Sequence, residues 1–283
     1  MSDLQLSFHG TFALKKEDLI KIIQAAAEEK GLDDNIESLM QRTGLGNRKV
    51  GPMKSWASRA GLVSNNGLSP EGEIVWRKDP RLVSNVTEWL MHFYLSLGDR
   101  GLIQPPDAPA EWGGWSYFVY SFLPQYSTFT MADLLQNSAS IFEKDFEKTQ
   151  ETSKNLTKNF RIVLRAYTEP EAIAACRFVQ TLDKNQFVTG DASIPNPYMV
   201  GYLLAKLWER DFDSQTSVLT EDILNHKMGL ASILGIGAKE LQEQLNTLEA
   251  YAIIEQRRTV APFQIVRRWD SPLALLEKAY AFE

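Results

Sequence analysis

The chain has one cysteine, Cys176, and three histidines, His9, His92 and His226, in 283 residues. A single thiol excludes an internal disulfide, and one Cys with three scattered His cannot build a Cys/His zinc knuckle. Cys176 lies near Ile173, Phe178 and Val179, so a buried, inert thiol is expected. No apolar run approaches the roughly 18–20 residues needed to span a bilayer, so no membrane partner is expected. The start, Met1-Ser2-Asp3-Leu4, lacks the basic and apolar regions of a secretory signal, which makes the cytoplasm the expected compartment. There is no HExxH. Gly44-Leu45-Gly46-Asn47-Arg48-Lys49 has neither the spacing nor the preceding strand of a Walker loop, and no dinucleotide GxGxxG is present. Asp133, Asp145, Asp191, Asp211 and Asp213 show no spacing suited to the metal of a nuclease, so catalytic residues stay unassigned.

What is present supports a folded protein. Hydrophobic residues make up 44% and aromatics 11%, enough for a packed core. The net charge of −6 weighs against a generic nucleic-acid coat, because phosphate binding runs on Lys and Arg. It leaves room for a localised basic face.

One pattern occurs twice. Gly44-Leu45-Gly46 is followed by Leu62-Val63, and Gly235-Ile236-Gly237 by Ile253-Ile254, at the same spacing. Leu39 and Leu230 precede the two first glycines at equal distance. Helix, tight glycine turn, helix and apolar strand is the order of a winged helix-turn-helix. The expected fold class is therefore mainly α, with winged helix-turn-helix modules at both ends joined by an aromatic-rich helical middle. Residues 1–82 are expected to form the first module, 83–194 the middle and 195–283 the second.

In the first module Leu14, Leu19, Ile22 and Ile23 predict one helix, with Gly31 as its stop, and Ile36, Leu39 and Met40 a short second. Pro52 fits best near a helix start, which predicts a third helix from Pro52 to about Arg59. Asn65-Asn66-Gly67 is expected to turn the wing, and Ser69-Pro70 to open a helix. In the middle, Trp89, Phe93 and Tyr94, then Trp112, Trp115, Tyr117, Phe118, Tyr120 and Phe122, read as core rather than as a base-stacking platform. Pro105 to Pro109 reads as a connector. Thr130 is a candidate cap for a helix through Met131, Leu134 and Leu135. With a second helix from Ser153 to Tyr167 it suggests a degenerate helix-turn-helix. Asp183 to Pro197 reads as loop. In the last module Val200 to Trp208, a helix capped by Thr220, a helix from Lys239 to Leu248, and strands at Ile253-Ile254 and Phe263–Ile265 are expected.

The two copies differ in charge. Arg42, Arg48, Lys49, Lys54 and Arg59 meet no acid between Gln41 and Ala60. With Asn47 and Ser55 they form a candidate DNA-binding face, since the third helix of such modules commonly enters the major groove. A merely solvated basic face is the competing reading. In the second copy Lys239, Glu240, Leu245 and Ala250 stand in register with Arg48, Lys49, Lys54 and Arg59, and Glu243 and Glu249 are added. That copy reads as a structural or dimerising module, so a homodimer is among the expected assemblies, although Arg257, Arg258, Arg267 and Arg268 keep its wing basic. Lys154, Lys158, Arg161 and Arg165 make a second acid-free basic run between Thr152 and Thr168. His92 reads as a satisfied core residue.

Phe8, His9, Gly10, Thr11 and Phe12, then Gly44-x-Gly46-Asn47 with Val50 and Trp56, Ala60-Gly61-Leu62, the Trp-rich middle and the Val200–Trp208 helix occur in order. In this the chain resembles a bacterial family known only as a domain of unknown function, number four thousand and seven, over nearly its whole length. The family accompanies DNA phosphorothioation genes and includes the SspB-type nicking protein. The resemblance implies a DNA-binding component of a phosphorothioation and phage-defence system, with strand nicking as a further expectation. Double-stranded DNA is the implied partner, with the sulfur-transfer and ATPase subunits beside it. The cofactor is unknown; Mg2+ or Mn2+ is expected only if the protein nicks. The family pattern runs Phe-x-Gly-His-Glu-Ser/Thr-Phe, whereas here His9 precedes Gly10 and no Glu stands before Thr11. A protein-interaction adaptor and a transcription regulator are the alternative functions.

Overall fold

The computed structural model describes residues 8–98, 113–142 and 150–283. Its first part runs Lys16–Ala27 (α1), Ile36–Thr43 (α2), Asn47–Arg59 (α3), the strands Val63–Ser64 (β1) and Gly67–Leu68 (β2), and Pro70–Lys78 (α4). Leu19, Ile22 and Ile23 face inward on α1, and Leu39 on α2, but Ile36 points to solvent. The hairpin turns on Asn65 and Asn66, both at positive φ, as a two-residue primed turn requires. Ser69 caps α4 by accepting from the Gly72 N–H at 2.8 Å.

The third helix corrects the expected one. It begins at Asn47, five residues before Pro52. Pro52 removes the bond that would reach the Arg48 carbonyl, but Arg48 is exposed and water can serve it. The residue ahead of the proline is Gly51, which has no Cβ to meet the ring.

The middle holds Asn85–Leu97 (α5) and Gly114–Tyr117 (α6), the latter continuing as a π-helical turn over Phe118–Phe122 and a 3₁₀ turn over Leu123–Gln125. Thr128–Thr130 (β3), Met131–Phe142 (α7), Gln150–Thr168 (α8), Gln180–Asp183 (β4) and Gln186–Val188 (β5) follow. Trp89, Phe93, Trp115, Phe118 and Phe122 are buried, so this aromatic run is core. Trp112, the proline-rich connector and the link between α7 and α8 lie outside the described residues. Thr130 and Asp133 cap α7 reciprocally: the Thr130 hydroxyl accepts from the Asp133 N–H at 3.2 Å, and the Asp133 carboxylate accepts from the Thr130 N–H at 2.7 Å. The segment read as a loop contains β5, which pairs antiparallel with both β3 and β4.

The last part comprises Pro197–Asp211 (α9), Ser217–Leu219 (β6), Thr220–Leu224 (α10), Leu230–Leu234 (α11), Ala238–Ala250 (α12), Ile254–Arg257 (β7), Gln264–Arg267 (β8) and Pro272–Phe282 (α13). The strands order β6-β8-β7, all antiparallel. Thr220 is not a cap. It is the first residue of α10, and its buried hydroxyl has no hydrogen-bond partner among the described residues. Pro197, read as loop, opens α9, capped by Asn196. Helix α13 had no counterpart in the sequence reading.

The duplicated glycine pattern is a duplicated backbone. Gly44 ends α2 at φ +65° and Gly235 ends α11 at φ +67°, a conformation that costs glycine nothing. Gly46 and Gly237 are extended N-caps of α3 and α12, each 13 residues long. Their ends match too: Leu62 N–H bonds Ala57 O at 2.9 Å, and Ile253 N–H bonds Leu248 O at 2.9 Å. The left-handed residue that follows each helix is Gly61 in one copy and Ala252 in the other. A side chain at Gly61 would run into the Tyr94 ring.

All three parts share one core, continuous from Leu14 to Ala279. Glu71 on α4, 6% exposed, joins them through polar contacts. Its Oε1 accepts from the hydroxyls of Tyr94 on α5 at 2.8 Å and Tyr202 on α9 at 3.0 Å, and Lys206 stands 3.5 Å away. A second buried chain crosses the middle. Trp115 Nε1 donates to the Tyr167 hydroxyl at 2.8 Å, so that hydroxyl donates onward to His92 Nδ1 at 2.8 Å, and His92 Nε2 donates to Ile233 O at 2.9 Å. His92 is thus a neutral, satisfied core residue.

Gly61→Ala is expected to lower the unfolding free energy by about 2–4 kcal/mol, combining left-handed strain with overpacking. Ala252→Gly should leave it unchanged or raise it by up to about 1 kcal/mol, and paired denaturant titrations separate the two. A second expectation concerns acid. Burial pushes the His92 pKa from 6.5 down to about 4. The unfolded chain then gains a proton that the folded chain refuses, so stability should fall as pH drops from about 6.5 to about 4. The loss is on the order of 3 kcal/mol. His92→Gln should be less stable at pH 7 and show a shallower loss over that window, checked by urea titrations at stepped pH.

Candidate nucleic-acid interface

The sequence places basic residues on α3 with no acid in the same stretch, and the fold brings acids to them from elsewhere. Arg42, 16% exposed at its side chain, is tied inward. Its guanidinium donates to Ala25 O and Gly31 O, each at 2.8 Å, and pairs with Glu28 at 2.7 Å and Asp34 at 3.5 Å. Hydrogen bonding from the Ser38 hydroxyl, ahead of the other contributions, lowers the Asp34 pKa and keeps that carboxylate charged. Lys49 pairs with Asp18 of α1 at 2.5 Å. Lys54 donates to Leu32 O at 3.0 Å. Ser55 is half-buried. Arg59 lies 4.3 Å above the Phe8 ring, and burial lowers its pKa to about 10, which leaves it cationic at neutral pH.

Arg48 and Asn47 differ from these. Both are exposed in the first turn of α3, and Arg48 has no ion pair among the described residues. A cation there opposes the helix dipole by about 0.3–1 kcal/mol. No acid in that turn offsets it, and Gly46 supplies no side-chain cap. A local rule broken without compensation singles out this turn as a candidate contact site.

On α8 the residues Lys154, Lys158 and Arg161 are exposed and also have no ion pair among the described residues. They recur at helical spacing on one side, while Leu156, Phe160 and Val163 are buried. Arg165, the fourth member of that run, is half-buried and bound by Glu169 at 2.5 Å, and this bond chiefly raises its pKa. The acid sits one residue beyond the acid-free window.

The two basic elements meet at a small void of about 20 Å³, room for roughly one water. Phe8 and His9 of the N-terminal cluster, Arg59 at the end of α3, Trp115, and Asn159 of α8 line it. His9 is 3% exposed, is stacked over Trp56 at 6.0 Å, and accepts the Thr11 N–H at Nδ1. Asn159 was missed in the sequence. Its signal is an amide on the apolar stripe of α8, and its side chain makes no hydrogen bond among the described residues.

In the second copy Lys239, in the register of Arg48, is exposed in the first turn of α12 and has no ion pair among the described residues, but acids stand beside it. Glu240 and Glu243 are exposed on α12. In its hairpin Arg257 and Arg268 pair with Glu255, and Arg258 pairs with Glu249. The bonds from Arg268 and then Arg257 lower the Glu255 pKa. Among the described residues no group of three His, Cys, Asp or Glu could hold a metal ion.

Arg42→Ala should cost about 1–3 kcal/mol through its severed backbone and carboxylate bonds. Arg48→Ala should stay within about 0.5 kcal/mol of the parent. Thermal and denaturant unfolding of the two variants checks that division between structural and free charge.

No curated protein sequence matches the chain. Two solved structures are similar in fold. One is described as an SspB crystal structure, with a TM-score of 0.74 at 16% identity, covering 99% of this chain and 87% of the other. The second is described as a magnesium ion-bound SspB crystal structure, with a TM-score of 0.72 at 16% identity and the same coverage. The match to the family described as "Protein of unknown function (DUF4007)" extends over residues 6–280, and the chain belongs to that family.

Proposed function

We propose that the protein is a DNA-binding component of a phosphorothioation-linked defence system. In this reading α1–α3 with the β1–β2 hairpin act as a winged helix, and the second glycine unit is its structural counterpart. The carrying observation is that Arg48 on α3 and Lys154, Lys158 and Arg161 on α8 are exposed and have no ion pair among the described residues. The SspB-like fold and the family support the system assignment. Arg48 and Arg59 lie about 17 Å apart along α3, roughly five base pairs of duplex rise, and Arg59 adjoins α8 at the shared void. Phosphates are what such side chains meet first, so the contact positions DNA rather than reads its sequence. Lys49, Lys54 and Arg42 hold the fold in place and are not the phosphate ligands.

Strand nicking is a subordinate proposal. It would use Mg2+ or Mn2+, and no metal-holding group exists among the described residues, so no step is assigned to an ion. Conversion of supercoiled plasmid to open circles, with either ion present, would support it. An adaptor role toward sulfur-transfer and ATPase subunits draws on the exposed Glu240 and Glu243 of α12 and would appear as co-purification without independent DNA affinity.

Duplex binding should weaken with salt. Arg48→Ala, Lys158→Ala and Arg161→Ala should each weaken it alike for all sequences and flatten the log–log salt slope by about 0.9. Electrophoretic or anisotropy titrations at several salt concentrations test this. Unchanged slopes in all three variants would remove α3 and α8 as the interface.

A further inference from the structure

A cleft lies between the middle part and the second glycine turn. It measures about 570 Å³, inside the roughly 300–1,000 Å³ range of small-ligand sites. One wall carries Tyr126, whose ring stacks on Phe122 at 4.6 Å with 19° between the planes. Another is the Gly235-Ile236-Gly237 turn. Phe178 backs this turn so closely that a Cβ on Gly235 would stand 2.9 Å from its ring.

No lining residue is charged. That speaks against phosphate, carboxylate or ammonium as the occupant, since a buried charge needs a partner. An aliphatic occupant fits poorly too. Ser127 Oγ makes no hydrogen bond among the described residues, and Ser232 Oγ, which donates to Lys227 O at 2.8 Å, keeps its lone pairs. Covering them with hydrocarbon would strand polar groups. A flat, uncharged, hydrogen-bonding ring satisfies stacking and edge contacts together. At the Gly237 corner the Glu240 carboxylate folds back, 2.8 Å from where a Cβ would sit. Glu240 is not among the residues that line the cleft but borders it at Gly237, where its carboxylate disfavours phosphate and offers an acceptor to an amino group.

We propose that this cleft takes a single unstacked nucleobase, with preference for one bearing an exocyclic amine. Its identity as a DNA base rests on the DNA-binding reading above. The protein would then hold duplex through α3 and α8 and an extruded or single-stranded base at the second glycine turn.

Deoxyadenosine, uncharged and independent of the basic face, is the probe. Calorimetric titration of the full chain should show saturable binding that weakens at least about tenfold in Ala231→Trp, a substitution that fills the cleft. Thymidine should bind less well than deoxyadenosine, and Glu240→Ala should narrow that gap. If Ala231→Trp does not fold by circular dichroism, Ser127→Trp at the exposed rim takes its place. Absence of saturable deoxyadenosine binding, or undiminished binding in a folded, cleft-filled variant, overturns the proposal. An unchanged gap in Glu240→Ala overturns the amine preference. Duplex titrations of the parent protein keep the two readings apart: no duplex affinity at low salt with nucleoside binding intact rejects the α3–α8 interface and leaves the cleft assigned.

Discussion

A buried carboxylate holds the architecture together. Glu71 sits in the first turn of α4, where the helix dipole favours an acid, and presents Oε1 to two tyrosines from other parts of the chain. Burial, reinforced by the charge of Glu71, raises the Tyr94 pKa, and burial together with the same neighbours raises that of Tyr202. Both hydroxyls therefore keep their protons and remain donors. Lys206 supplies nearby positive charge. A charge in the interior survives only when partnered, and here its partners lie on α5 and α9. Helices α4, α5 and α9 are thereby set in register, and the two glycine units are positioned around them.

The repeat was legible because a left-handed residue and an N-cap leave chemical traces. Gly44 and Gly235 could be paired by spacing alone, and their capping geometry agrees down to the bonds after each long helix. The start of α3 was less legible. Pro52 is a breaker by rule, but the carbonyl it strands is solvated and the preceding glycine removes the clash, which is a tertiary fact. The β4–β5 hairpin was hidden by a composition rich in Gly and Pro. Helix α13 packs on α9 and α4 with aromatic and aliphatic residues whose periodicity is weak, and it was not foreseen.

Charge was the least legible property. A stretch free of acids can still be neutralised by acids distant in sequence. Asp18, Glu28 and Asp34 take up Lys49 and Arg42, and Glu169, one residue past the acid-free run, takes up Arg165. What survives is a smaller set, Arg48 with Lys154, Lys158 and Arg161. The difference between the two units is therefore narrower than their helix sequences suggest: Lys239 at the start of α12 also has no ion pair among the described residues, but Glu240 and Glu243 are exposed on the same helix. In the second hairpin each of Arg257, Arg258 and Arg268 has its glutamate, whereas Arg48 has none among the described residues.

The chain from Trp115 through Tyr167 and His92 to Ile233 runs in one direction, each group donating to the next. At its far end Ile233 stands two residues before the Gly235 turn. At its near end Trp115 meets Trp56 of α3 edge-on at 5.8 Å, and Trp56 in turn donates to Phe12 O. No member can slide without leaving a buried donor or acceptor bare, at about 1–3 kcal/mol each. The chain thus links the second half of α3 to the helix that ends at the second glycine turn. A displacement at either end therefore strains buried bonds that belong to the other, which couples the two glycine units through the core.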